Sequence, residues 1–140
     1  MTTLQLSLDD NWTHAYGGVC FLHYTIVWCT KFCRRVLVAD VSDRVDSLLR
    51  QLVVEAGGEV GELAIYPNYI RLDVVLYTPN LAPAQLIYHL KRTTSRIVCR
   101  EYPHIQRRLK SLWTRSYLIK TDENLPEEVI ARYVASQRGR

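Results

Sequence analysis

The chain has 140 residues, 48% of them hydrophobic, enough for one compact domain with a real core and too few for a second. No run approaches the roughly 18 uninterrupted apolar residues of a membrane span, and the N-terminus lacks the basic-then-apolar order of a secretory signal, so a cytoplasmic protein with no membrane partner is expected. The formal charge of +4 is unevenly spread: residues 91–120 hold nine Lys or Arg against Glu101 alone, a net +8, whereas residues 37–90 hold three against seven acids. Clustered cations suit a polyanion, because phosphate contacts release counterions; an ordinary solvated helix face is the alternative.

Residues 1–18 are polar, end in Gly17-Gly18 and are expected to form an irregular arm. The run VCFLHYTIVWCT at 19–30 is dense in β-branched and aromatic residues and predicts a buried strand, with Lys31, Arg34 and Arg35 at its exit. Asp40 and Ser42 are candidate N-caps for a helix in which Val41, Val45, Leu48, Leu49, Leu52 and Val53 recur at helical spacing until Gly57-Gly58. Strands over 59–66 and 69–77, joined by Pro67-Asn68, read as a hairpin. Alternation in the second places Tyr69, Arg71 and Asp73 on one face.

Pro83 suits the first turn of a helix whose apolar stripe, Leu86, Leu90, Ile97 and Val98, runs to about Arg100. Arg92, Arg96 and Arg100 line up on its flank. Pro103 breaks that pattern, and a basic loop with Arg107, Arg108 and Lys110 leads to a fourth strand at 115–121. Pro126 opens a last short helix, 126–137. The order β-α-β-β-α-β with an extra C-terminal helix is the split βαβ arrangement of ferredoxin-like α+β domains, here a single domain over 1–140. That fold hosts unrelated functions, so function has to come from sites. The four cysteines, Cys20, Cys29, Cys33 and Cys99, have no disulfide-scaffold density and are expected reduced and mostly buried. Together with His14, His23, His89 and His104 they match no zinc-module spacing.

Several motifs, in order, resemble the one-tyrosine HUH transposases that move small bacterial insertion sequences as single-stranded DNA. VWCTKFCRR at 27–35 resembles the family's V-W-C-T-K-Y-R-R first-strand motif, and LKRTTSR at 90–96 its L-K-G-x-S-x-R helix. EYP at 101–103 follows; LWTRSYLIKT at 112–121 resembles the L-W-x-x-S-Y-F-x-x-T strand, and RYVASQ at 132–137 the terminal Y-I-x-x-Q helix. The resemblance implies that Tyr133 attacks a DNA phosphodiester, forming a 5′-phosphotyrosine and freeing a 3′-hydroxyl, with Gln137 as third ligand of a divalent metal, magnesium or manganese. From the residues alone, Tyr133 could instead be a half-buried aromatic of an amphipathic helix, and Gln137 a solvated side chain.

The family's other two ligands are histidines in a P-D-H-x-H-L-L-V motif. The corresponding run here begins Pro67-Asn68-Tyr69-Ile70-Arg71, so both positions are lost, to Tyr69 and Arg71. A phenol and a guanidinium are not normal ligands for such a metal, which is therefore not expected to bind in the family manner. Asp73 is a possible substitute ligand, though pairing with Arg71 or solvation is simpler. Arg71 either places a fixed positive charge where the cation sat, or reflects drift at a disused site. The resemblance further implies a homodimer, formed by pairing sheets edge to edge, which a long apolar first strand would favour as a hazardous edge.

Three functions follow: a transposase by descent that binds single-stranded or hairpin DNA with nicking lost or impaired; an active nicking enzyme with a metal held by Asp73, Gln137 or Glu62; and a ferredoxin-like protein-interaction module. Expected DNA contacts are Lys31, Arg34, Arg35, Lys91, Arg92, Arg96, Arg107 and Arg108, any of which could instead be solvated charge.

Overall fold

In the computed structural model, which describes residues 20–121 and 124–140, the first apolar run forms strand β1, Leu22–Cys29. The expected N-terminal arm lies outside the described residues. After β1 the chain makes a tight 3-10 turn, Lys31–Cys33, with Phe32 and Cys33 at positive φ (58° and 51°). The turn is tied down by Cys33 N donating to Thr30 O and Phe32 N to Arg140 O. Nothing in local sequence announces it, because two side-chain-bearing residues at positive φ need tertiary support.

Helix α1, Asp40–Glu55, buries the six apolar positions that its periodicity marks. Its cap differs from expectation. Ala39 occupies the N-cap with no side-chain cap bond, and Asp40 and Asp43 instead sit in the first turn, where carboxylates favour the positive end of the helix dipole. Gly57, at φ 90°, reverses the chain into β2, Gly58–Ile65. A Cβ on Gly58 would meet Val75 O at 2.6 Å, so strand β3 lies too close for a side chain there. β3, Tyr69–Leu76, completes the hairpin, and a bulge between Val60 and Leu63 interrupts the ladder.

Helix α2, Pro83–Glu101, starts with Gln85 Oε1 accepting from Ala82 N (3.1 Å). The segment after it is not the loop expected from Pro103. It is a short helix α3, Pro103–Arg108, in which proline occupies the first turn, where its missing N–H is harmless. The fourth strand is also shorter than expected: β4 covers only Leu118–Lys120, with Trp113 joining β1's end through an isolated bridge to Thr30. Helix α4, Glu127–Ser136, carries Tyr133 and ends with Gln137 as C-cap.

The sheet order is β2-β3-β1-β4, antiparallel throughout, the ferredoxin-like arrangement. β1 is therefore an interior strand, and its apolar character reflects burial between β3 and β4 rather than a sticky edge. One sheet face, with Ile26, Trp28, Ile70, Leu72, Val74 and Leu76, packs on Leu49 and Val53 of α1 and Leu86 and Leu90 of α2. Each such side chain contributes roughly 1.5–3 kcal/mol by burial. Trp28 and Trp113 meet edge to face at 5.8 Å. The opposite face has a smaller core, Val27, Leu125 and Ile130, against which Tyr69, Leu118, Tyr133 and Val134 pack. That second face is where α4 docks.

Candidate nucleic-acid interface and tyrosine site

Strand alternation builds the tyrosine site. In the antiparallel register Thr25 faces Asp73, Val27 faces Arg71 and Cys29 faces Tyr69, all on the face away from α1 and α2. Arg71 Nε stands 3.9 Å from Asp73 Oδ1, and the Asp73 side chain is nearly buried. Tyr69 stacks on Tyr66, centroids 4.4 Å apart and planes 13° off parallel. Burial raises the Tyr69 phenol above its ordinary range, so it is neutral at physiological pH. A cavity of about 420 Å³ opens between β3 and α4, lined by Tyr66, Tyr69, Arg71, Glu127 and Arg138 among others. Arg138, the residue after Gln137, is not among the candidates that the sequence motifs mark.

Tyr133 points elsewhere. Its hydroxyl donates to Ser116 Oγ at 3.1 Å, on the segment leading into β4, so that β1 separates it from Arg71. Burial pushes the phenol up to about 12, with the Ser116 hydroxyl offsetting part of that rise. Next to it, burial and the Cys33 thiol push the Cys29 thiol up to about 12, and Cys33 Sγ donates to Val134 O at 3.5 Å. Gln137 is 3% exposed; its Nε2 donates to Ser136 Oγ, and its Oε1 has no hydrogen-bond partner among the described residues.

A divalent metal fits these residues poorly. Among the described residues, the buried oxygens Asp73 Oδ1 and Gln137 Oε1, like Thr114 Oγ1, lack a hydrogen-bond partner, which is how a ligand atom would look. The guanidinium beside Asp73 nevertheless offsets its charge, and no group of three His, Cys, Asp or Glu is clustered among the described residues. Glu62 is exposed, at the β2 bulge.

The expected cations fall into separate sets. Arg92 and Arg96 of α2 line a cavity of about 640 Å³ with Arg115, Tyr88, Trp113 and Tyr117, of which Tyr88 is 65% and Tyr117 38% exposed. Lys91 also reaches its wall, but turned inward: its Nζ donates to Ser116 O at 3.0 Å, and burial lowers its pKa to about 8. Arg35 and Arg108 border another cavity with Tyr102 and His104. Lys31 lies over the Phe32 ring, 5.3 Å from its centroid, while Arg34 and Arg107 are exposed. Arg115, absent from the expected contacts, joins the first set because its short segment folds back onto α2.

The IS200-like transposase family model matches residues 19–137. The chain belongs to that family. Its similarity extends to the ISDra2 transposase TnpA of Deinococcus radiodurans, 31% identical over 123 residues, which are 86% of this chain and 87% of the relative. A crystal structure of a transposase from Deinococcus radiodurans R1 superposes with a TM-score of 0.80 at 28% identity, covering 89% of this transposase and 96% of the other chain. A REP-associated tyrosine transposase bound to a REP hairpin shares the fold at 10% identity, with a TM-score of 0.56 over 81% of this chain and 62% of that one. The present protein is thus an insertion-sequence transposase by family. Its family is metal-dependent.

Proposed function

We propose that this transposase binds single-stranded or hairpin DNA along the Arg92, Arg96 and Arg115 face, and that its metal-assisted nicking is lost or impaired. The observation that carries the second part is the Arg71 to Asp73 approach of 3.9 Å. In the place of two imidazoles, the strand offers a stacked neutral phenol and a guanidinium already drawn to the Asp73 carboxylate. Arg71 retains a positive charge at the site, able to hold a phosphate without the polarisation that a metal adds.

For binding, arginines interleaved with exposed Tyr88 and Tyr117 match what a flexible strand needs: cations for the backbone and ring faces for unpaired bases. The hairpin carried by the REP-associated transposase is the ligand class we extend to this chain. In this reading Tyr133 is the nucleophile, and Gln137 follows one turn on as the C-cap of α4. We further propose one domain over the whole chain, a homodimeric assembly and a cytoplasmic setting. The absence, among the described residues, of any helix long and apolar enough to cross a membrane is compatible with that setting.

The buried, unmet oxygens of Asp73 and Gln137 favour a second reading, in which a metal is still recruited. Both are tested on hairpin-containing single strands from the gene's own flanks, with magnesium and manganese, comparing wild type, Tyr133→Phe and Arg71→His. Salt-sensitive binding without an adduct is expected of wild type. A magnesium-dependent adduct lost in Tyr133→Phe would establish the second reading instead.

A further inference from the structure

We infer that Lys91 and Ser116 are positioning residues for Tyr133, forming a seat that holds its hydroxyl in a waiting position on the β4 side of the sheet. Lys91 Nζ donates to Ser116 O at 3.0 Å, and Tyr133 Oη donates to Ser116 Oγ at 3.1 Å. Ser116 is thus gripped through its carbonyl from α2 and through its hydroxyl from α4. Both belong to motifs whose spacing gave no hint that they meet, twenty-five residues apart in sequence.

Lys91 is built into this arrangement rather than left on the surface. It falls in helical phase with Ile87, Thr94 and Val98, all buried, and out of phase with the exposed Arg92, Arg96 and Arg100. Putting an ammonium on the buried side of a helix costs free energy unless it meets an acceptor, and the acceptor it meets is Ser116 O. The neighbouring backbone is fixed independently: Leu112 N donates to Ser95 Oγ, Trp113 Nε1 to Thr94 Oγ1 and Thr114 N to Cys29 O. Lys91 extends this anchoring to Ser116, whose hydroxyl accepts from the tyrosine, with the Thr114 side chain also at that hydroxyl.

The charged and titratable groups around the seat are Cys29 from β1, Cys33 from the 3-10 turn, and Arg92, Arg96 and Arg115 on the cavity side. Arg71 and Asp73 lie on β3, across β1 from the segment that carries Ser116, so a hydroxyl held by Ser116 is directed away from a phosphate bound beside them. The seat therefore defines the resting state of the nucleophile and a separate step before attack. This meaning rests on Tyr133 being the nucleophile; the seat itself does not.

The test is acetylation of full-length protein by N-acetylimidazole, read tyrosine by tyrosine by peptide mass spectrometry. Exposed Tyr66 is the internal control, and near-UV circular dichroism confirms folding. Ser116→Ala and Lys91→Met are expected to raise Tyr133 acetylation several-fold, while Ser116→Thr and Lys91→Arg stay near wild type. Salt dependence of single-strand binding is measured in parallel. Lys91→Met should leave its slope unchanged, whereas Arg92→Ala lowers it by about 0.7.

Tyr133 acetylation unchanged in Lys91→Met overturns the role of Lys91, and unchanged in Ser116→Ala overturns the seat. A slope reduced by Lys91→Met with Tyr133 unmoved makes Lys91 a strand contact instead. If no DNA binds, the proposed function fails, and the acetylation pattern still decides the seat.

Discussion

Arg71 Nε stands 3.9 Å from Asp73 Oδ1, two residues along the same face of β3, at positions that a strand can present side by side. The carboxylate is nearly buried and the guanidinium about three-quarters so. At this separation, and with one partner still touching water, the pair contributes less than a fully buried bridge would.

Arg71→Met should therefore destabilise the fold by about 1 kcal/mol, mostly through the carboxylate left behind. Adding Asp73→Asn to that variant should recover most of the loss. Urea unfolding of the two single variants and the double variant measures it.

Thr94 is fully buried; its hydroxyl accepts from Trp113 Nε1 at 2.9 Å and donates to Leu90 O at 2.7 Å. Thr94→Val keeps the shape and strands the indole N–H, so a loss of about 1–3 kcal/mol is expected by urea unfolding. Because the bond holds Trp113 on α2, tryptophan fluorescence should shift in the same variant.

Alkaline stability follows chiefly from the three most strongly shifted groups. The Cys29 thiol, raised from 9.0 to about 12, and the Tyr133 phenol, raised from 10.0 to about 12, keep their protons longer in the folded chain than in the unfolded one. Their contribution is fully present below pH 9 and is lost as pH rises toward 12. Lys91, lowered from 10.5 to about 8, works the other way, gaining stability between pH 8 and 10.5. The two acids outweigh one amine, so the urea midpoint should fall from pH 9 to 11, and Cys29→Ala should flatten that fall.

Strand binding should depend on salt with a slope set by the phosphates neutralised. Arg92→Ala, Arg96→Ala and Arg115→Ala should each lower the slope by about 0.7 in fluorescence anisotropy with a single-stranded oligonucleotide. Arg35→Ala and Arg108→Ala, around a different cavity, should act independently of them. Additive losses across both sets would mean a strand that spans α2 and α3.

What sequence revealed here was what local pattern controls. α1, the β2–β3 hairpin and α2 follow from period and from Gly and Pro punctuation, and the motif order pointed to the family before any geometry. Three features depended on distant partners. The strand expected at 115–121 shrinks to Leu118–Lys120, while Lys91 takes hold of Ser116 O in the preceding stretch. Pro103 starts a helix rather than ending order. Charge along the chain marks Lys91 as a DNA contact, whereas its phase with Ile87, Thr94 and Val98 puts it on the buried stripe; a count of charge ignores that phase. At the site, Tyr69 and Arg71 stand where the resemblance implies two histidines, but the direction in which Tyr133 points is not legible in the sequence.

The two faces of the sheet are unequally fastened. The small cluster of Val27, Leu125 and Ile130 under α4 is far thinner than the core beneath α1 and α2. Hydrogen exchange should accordingly divide the molecule into a slow body and a fast appendage, with α4 amides opening well below the global unfolding free energy. For the nucleophile proposed above, travel would then cost little free energy: the appendage can come loose while the body stays folded, and the sheet serves as a fixed dock to which it returns.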